Sequence, residues 1–527
     1  MYPLRLPFQS VMKGVIVLIL TTSYRLLPSM ISKYVTLDKM MVLNSPAKEY
    51  DFIVVGAGSA GALLANRLSK YYTVLLIEAG GTPFPLQSVP VFAPLMLDNK
   101  DLTWRYFTVP QKYSCLGLVN KTSYWPRGRG LGGTSLLNFL AWIRGHPRDY
   151  DNWAEITGDK RWSYESLLPY FKRTENYLGK GSDRYHGHSG EIPISTARDR
   201  DKTLVNVFLE AAKELDYPIT DLNAPLMKVL IDNQNNAYGV QYEHKGHLHK
   251  VRALREVILS AGAIGSPMIL LHSGIGPSEH LQQVGIKPRV NLAGVGKNLL
   301  DHVSALVGPF TITNESFSQQ HFTFVPARDS RPSNVIQYLA SGDGPLAQSG
   351  SMASGFILSN KSFYTANQWP DIQLLLLGIP QDDEGLLTLS KAFNIDAATS
   401  RGQIKLASNN PFDPPLIDPN YYDHPDDMNL VLKGCEKLRF KSDEYWECFA
   451  RHLTITVFHP SGTCAMGKLT NPETVVDSSL RVKGVRGLRV VDASIMPQIV
   501  SSNINPACTV IGERGAYIIL NEQFHNK

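Results

Sequence analysis

Single-sign charge blocks, Cys-x-x-Cys pairs, internal repeats, low-complexity tracts and long apolar runs are all missing from this 527-residue chain. Each absence removes a class of function. Lys, Arg, Asp and Glu alternate along a sequence of formal net charge +5, so there is neither a nucleic-acid footprint nor a polybasic membrane patch. Cysteine is scarce: Cys115, Cys435, Cys448, Cys464 and Cys508 have no neighbouring histidine array. A zinc site is therefore not expected, and no metal is assigned. One cysteine must stay unpaired, while Cys435 and Cys448 are spaced to pair across a short loop in an oxidising compartment. Near the amino terminus only Gly14–Tyr24 separates Lys13 from Arg25, well short of the roughly 20 residues that span a bilayer. No stable transmembrane anchor is expected. Basic residues followed by a short apolar run over residues 1–45 have the form of a secretory leader, and sequons at Asn120, Asn314 and Asn360 agree with secretion. A membrane-associated protein is the alternative.

What is present reads as a large folded enzyme. Hydrophobic residues make up 43% and charged residues 19%, enough to build a core and too balanced for disorder. Asp51–Val55 is an apolar run of strand length, residues 62–69 have helical composition, and Thr73–Ile77 is a second apolar run. This is a βαβ unit with a parallel sheet. Val257–Leu259 and Arg489–Val491 read as further strands, so the sheet draws on distant parts of the chain.

Between the first strand and helix lies Gly56-Ala57-Gly58-Ser59-Ala60-Gly61. The first glycine permits the tight turn, Gly58 lets backbone approach a pyrophosphate, and Gly61 permits close helix packing. Glu78 closes the second strand, where a carboxylate accepts the hydroxyls of an unphosphorylated adenosine ribose. These features predict a dinucleotide site without separating FAD from NAD.

The stretch Arg127–Asn138, continuing through Trp142, Arg144 and Gly145 to Asp151, resembles the first signature of the glucose–methanol–choline oxidoreductases. Gly262–Gly276 resembles their second signature, and Trp104–Gln111, Gly296–His302 and Asp492–Pro497 add shorter matches. The resemblance runs from about residue 50 to the carboxy terminus. It implies FAD and an α/β fold: a Rossmann-like FAD-binding domain with a parallel sheet, plus an α+β substrate domain with an antiparallel sheet. Residues 48–150, 224–300 and 455–527 are assigned to the first, and 151–223 and 301–454 to the second. Beyond the first glycine loop, the implied cofactor contacts are Arg129, Gly132, Gly133, Ser135, Asn138, Leu226, Asp492, Ala493, Asn505 and Pro506. Where some members carry a flavin-linking histidine this chain has Leu137, so the FAD is expected to be non-covalent.

His459–Gly467 resembles the family's catalytic-histidine segment, and Ser501–Pro506 the segment carrying its partner. Oxidising an alcohol requires removal of the hydroxyl proton as hydride leaves carbon. A neutral imidazole suits the first task and an amide N–H steadies the alkoxide. His459 is assigned as base and Asn503 as partner, with Asn505 the runner-up; His302 and His272 read as structural. The expected partners are a small alcohol and an electron acceptor such as oxygen or a quinone.

The resemblance breaks where Ala224-Pro225 joins segments that relatives separate, again near Lys433-Gly434, and around residues 385–399. A flavin-binding but catalytically inactive or incomplete member is therefore the alternative reading.

Overall fold

The computed structural model describes residues 47–525 apart from 84–88, 180, 196–225, 245–246, 311–330, 348–350, 358–368, 381–386, 396–398 and 437–441. The leader, the sequons at Asn314 and Asn360, and the Ala224-Pro225 join lie outside the described residues.

Phe52, Ile53, Val54 and Val55 are buried together, which fits a strand covered on both faces. Strand β1 (Glu49–Val55) runs into helix α1 (Ser59–Ser69) and returns as β2 (Val74–Ile77), parallel to β1 with Phe52 opposite Val74 and Val55 opposite Ile77. The buried face of α1, Ala60, Gly61, Leu64, Ala65 and Leu68, repeats at helical spacing. The predicted βαβ unit is present.

Beyond it the sheet departs from the wholly parallel expectation. β3 (Leu226–Ile231), β4 (Ala237–His244) and β5 (His247–Leu259) form an antiparallel meander. The physical reason is connection length: residues 232–236 and 245–246 join these strands, and so few residues make a hairpin but not a crossover. Only the later part of β5 runs parallel to β1, from Arg252 opposite Glu49 to Leu259 opposite Val55. The order is β2–β1–β5–β4–β3, a mixed sheet.

A second sheet is antiparallel throughout, in the order β7–β8–β9–β6–β10. Its strands are β6 (Val303–Phe310), β7 (Ser351–Ile357), β8 (Ile372–Pro380), β9 (Leu387–Ile395) and β10 (Thr454–Thr456). Asp301 and His302 immediately precede β6, and His459 lies three residues beyond β10, which pairs with β6 through Val303 opposite Thr456. This pairing brings residues far apart in sequence to one place. β11 (Leu488–Val490) completes the first sheet beside the last residues of β5 and delivers Asp492.

Helix α2 (Pro147–Thr157) buries Tyr150 and Trp153, and the closing helix α3 (Asn505–His525) packs along α1. No helix among the described residues is long and apolar enough to cross a membrane.

Cys448, which the spacing allowed to pair with Cys435, is an exposed free thiol beside His452. The two cysteines sit on separate helices, Pro425–Glu436 and Asp443–His452, rather than at the ends of a simple loop.

The α1–α3 contact depends on a missing side chain. A Cβ at Gly512 would lie 2.6 Å from the Ala60 carbonyl oxygen and 2.9 Å from its Cα, closer than packed atoms tolerate. Gly512→Leu should force the helices apart, lowering the thermal midpoint and costing about 1–3 kcal/mol or more. An unchanged midpoint would show that this contact opens freely.

Candidate active site

The loop after β1 is shaped by backbone crowding on one side and open space on the other. Gly56 has φ +101°, and a Cβ there would lie 2.2 Å from the Ser260 carbonyl oxygen at the end of β5. A Cβ on Gly61 would lie 2.0 Å from the Gly56 carbonyl oxygen. Both positions therefore require glycine. At Gly58, by contrast, a Cβ would meet nothing within 4 Å. This is the opening onto the amino-terminal end of α1, where unpaired N–H groups and the helix dipole favour an anion.

Glu78 is buried at the end of β2. Its Oε2 accepts from the Ala57 N–H at 2.8 Å and its Oε1 from the Gly80 N–H at 3.0 Å. Burial raises its pKa, and these backbone N–H groups oppose the rise. The Ala79 and Gly130 N–H groups act in the same direction.

The glycine-rich segment folds against this loop. Gly132 N–H donates to the Ala57 carbonyl at 2.8 Å, and a Cβ on Gly133 would lie 2.9 Å from Gly58 Cα. Ser135 donates to the Gly132 carbonyl at 2.7 Å, and Asn138 Oδ1 accepts from Leu140 N–H at 3.2 Å. Arg129 donates to the Ala79 carbonyl and lies over the Trp104 ring. Ala60 is buried in α1. Ser59 donates to Asn505 Oδ1 at 2.5 Å, so the starts of α1 and α3 meet there, with Pro506 buried in the first turn of α3. Asp492 is satisfied by the protein itself, accepting from Gly262 N–H, Ser266 and Ser494, while Ala493 is buried beside it. Leu226 opens β3, at the opposite edge of the sheet from β2. The structure thus gathers the loop 56–61, Glu78, the segment 129–138 and Asn505 around one opening.

Two residues before Asn505, Asn503 faces His459. Its Nδ2 lies 3.3 Å from His459 Nε2, and its Oδ1 accepts from Gln373 Nε2 on β8 at 3.4 Å. On the other side of the ring, His459 Nδ1 lies 2.8 Å from His302 Nδ1. Burial first, then the repulsion that a second protonated ring at His302 and the Arg127 guanidinium would bring, holds the pKa of His459 well below its ordinary value. Burial likewise lowers His302, to about 4. Both rings are therefore neutral near pH 7. An amide N–H facing Nε2 assigns the His459 proton to Nδ1, which donates to His302 and leaves the Nε2 lone pair forward.

Asp301 sets the backbone of this pair. Its Oδ1 accepts from His459 N–H at 2.9 Å, and its Oδ2 from the hydroxyls of Thr456, at 2.6 Å, and Tyr421. Burial pushes its carboxyl up to about 6. Arg127 donates to the Phe458 carbonyl at 2.8 Å. Of the two candidate asparagines, Asn503 touches His459 and Asn505 touches Ser59. Sequence reasoning missed Asp301 and Gln373 and read His302 as structural. The signal for Asp301 and His302 was their place in the Gly296–His302 match; Gln373, on an ordinary-looking strand, carried none.

Comparisons with known proteins agree with this geometry. Two family models described as GMC oxidoreductase match the chain, the amino-terminal one at residues 50–227 and 219–304, the carboxy-terminal one at 398–440 and 432–512. Each match breaks in two, at 219–227 and 432–440, where two of the sequence gaps were placed. The chain is 34% identical to a glucose dehydrogenase (FAD, quinone) of Drosophila pseudoobscura pseudoobscura, covering 90% of this chain and 87% of that one. That alignment runs over 573 positions, more than the 527 residues here, so the relative has residues without a counterpart in this chain. It is 33% identical to an oxygen-dependent choline dehydrogenase 1 of Chromohalobacter salexigens, covering 89% and 94%. Among solved structures, pyridoxine 4-oxidase from Mesorbium loti superposes with a TM-score of 0.73 at 27% identity, covering 90% of this chain and 99% of that one. With matches on both halves and relatives aligned along most of its length, the chain belongs to the GMC oxidoreductase family.

Proposed function

We propose that this chain is an FAD-dependent oxidoreductase acting on the CH–OH group of an alcohol, with His459 as base and Asn503 as the alkoxide's hydrogen-bonding partner. The observation that carries the reading is the buried His459, whose Nε2 lies 3.3 Å from the Asn503 amide nitrogen, two residues from the asparagine that touches the start of α1.

The residues present fit FAD. The space in front of Gly58 is open, the start of α1 offers N–H groups for a pyrophosphate, and the Glu78 carboxylate ends β2 against the same loop through the Ala57 N–H. Gly132 and Gly133 let the glycine-rich segment close onto Leu136 and Gly58, where a Cβ would lie 2.8 and 2.9 Å from their atoms, and Leu137 carries no nucleophilic atom for a covalent link. Bound flavin supplies the acceptor for the hydrogen and electron pair that leave the alcohol carbon. The chain's own task is the proton. His459 Nε2 takes it from the hydroxyl, Asn503 Nδ2 donates to the oxygen left behind, and the His459 Nδ1–H, held on His302, stabilises the cation that forms. The C=O bond forms as the C–H bond breaks. Glucose and choline dehydrogenases among the relatives support a small polar alcohol as substrate, with oxygen or a quinone as acceptor.

A second reading, a flavin protein without turnover, is favoured by the two breaks in the family match. Anaerobic bleaching of the bound flavin by a panel of alcohols separates the two. His459→Ala should retain yellow colour and slow that reduction by about 100-fold or more, and reduction at the parent rate would remove His459 from the base role.

Gly58→Val tests the cofactor cradle independently. Its side chain enters open space rather than protein, so the fold should survive while FAD binding is lost; purified variant with a full flavin spectrum would contradict this.

The pH profile follows from sign. Neutral imidazole is the active form, and a pKa lowered below about 6.5 extends that form to more acidic solution. The acid limb of kcat/KM should therefore fall at or below about pH 6, where Asp301 also takes up its proton. A limb centred at pH 7 would mean that His459 titrates as an exposed histidine.

A further inference from the structure

Asp149 lies outside the reacting pair, yet three separate parts of the chain converge on its carboxylate. It is the third residue of α2 and 1% exposed. Oδ2 accepts from His146 N–H at 2.7 Å, closing the cap of α2, and also from Ser501 N–H at 2.9 Å and the Ser501 hydroxyl at 2.8 Å. Oδ1 accepts from the Trp369 indole N–H at 2.7 Å. A helix cap needs only the first of these bonds.

The other contacts lead to Asn503 by two routes. Ser501 is two residues before Asn503, and the intervening Ser502 donates to the Ile143 carbonyl at 2.8 Å. Trp369 is four residues before Gln373, whose amide donates to Asn503 Oδ1. Asp149, Ser501, Asn503, Gln373 and Trp369 therefore form a ring, closed by hydrogen bonds and two short stretches of backbone. Gln373 matters to the direction of the amide: reversing Asn503 would place its oxygen against the Nε2 lone pair of His459 and its NH2 against a donor. At neutral pH the clamp is a carboxylate, since burial pushes Asp149 up only to about 6. All four bonds need an acceptor, and a carboxylate is acceptor-only.

We propose that Asp149 is a positioning residue for alcohol oxidation, fixing the place and direction of the Asn503 amide by holding both the Ser501–Asn503 turn and the Trp369–Gln373 segment. The inference rests on the proposed role of Asn503. Asp149→Asn keeps the shape but puts an NH2 against one of the donor groups, and Trp369→Phe removes one donor and leaves the carboxylate.

The test uses FAD-loaded full-length protein and two readouts. By hydrogen exchange, both variants should exchange faster than the parent over residues 499–503 and 369–373, with protection in β1 and β5 retained. In anaerobic reduction by an alcohol that bleaches the parent, Asp149→Asn should slow the limiting rate by roughly 10- to 100-fold with little change in the half-saturating concentration. In an Asn503→Ala background the same change should add less than roughly 2-fold, because the two residues act as a unit. Unchanged exchange in both segments, or rate effects that multiply in the double variant, would overturn the proposal. If Asp149→Asn does not fold, Trp369→Phe carries both measurements. If no alcohol bleaches the parent, the functional reading fails, and the exchange result still decides whether the clamp exists.

Discussion

The reacting pair depends on one buried carboxylate. Asp301 binds the His459 N–H, the Thr456 hydroxyl and the Tyr421 hydroxyl, and so ties the segment carrying the base to the start of β6. Three donors would ordinarily depress a carboxyl pKa, yet burial outweighs them and leaves it at about 6. The group stays ionised near neutrality, and its desolvation cost is offset by bonds that no neutral side chain could all satisfy. Asp149 and Asp492 repeat the device, each accepting from three residues. Hydrogen-bonded aspartates, rather than ion pairs, join the distant pieces of this site.

This explains which parts of the site were legible in the sequence. Gly56 to Gly61 and Glu78 belong to one βαβ unit, where periodicity, turn chemistry and strand ends are local signals. The crowding at Gly56 and Gly61 and the open space at Gly58 match the roles those spacings imply. Asp301, Gln373 and Asp149 act on residues more than 100 positions away, and local pattern carries no information about such pairs. The sheet is a different case: apolar runs mark strands without giving their direction, and the antiparallel course of β3 and β4 follows from the short connections at 232–236 and 245–246.

The breaks in the family match also have a structural meaning. The first falls at 219–227, beside β3, the outermost strand of the mixed sheet. An edge strand has a partner on one side only, so change there leaves the pairing of β1, β2 and β5 intact. Those strands frame the opening at Gly58. The second break, at 432–440, begins in the last turn of the helix Pro425–Glu436, which packs against the helix Asp443–His452.

The elements around His459 are drawn from both sheets, and this couples cofactor and substrate sides. Asn503 and Asn505 are separated by one residue; the first meets β8 through Gln373, and the second meets α1 through Ser59. A displacement of either helix start or strand must therefore pass through the same short turn. Small shifts of a reacting group cost large factors in rate, so the turn 501–505 is where rigidity matters most. Its ends are fixed on one side by Asp149 and on the other by the first turn of α3, which buries Pro506 and Ala507.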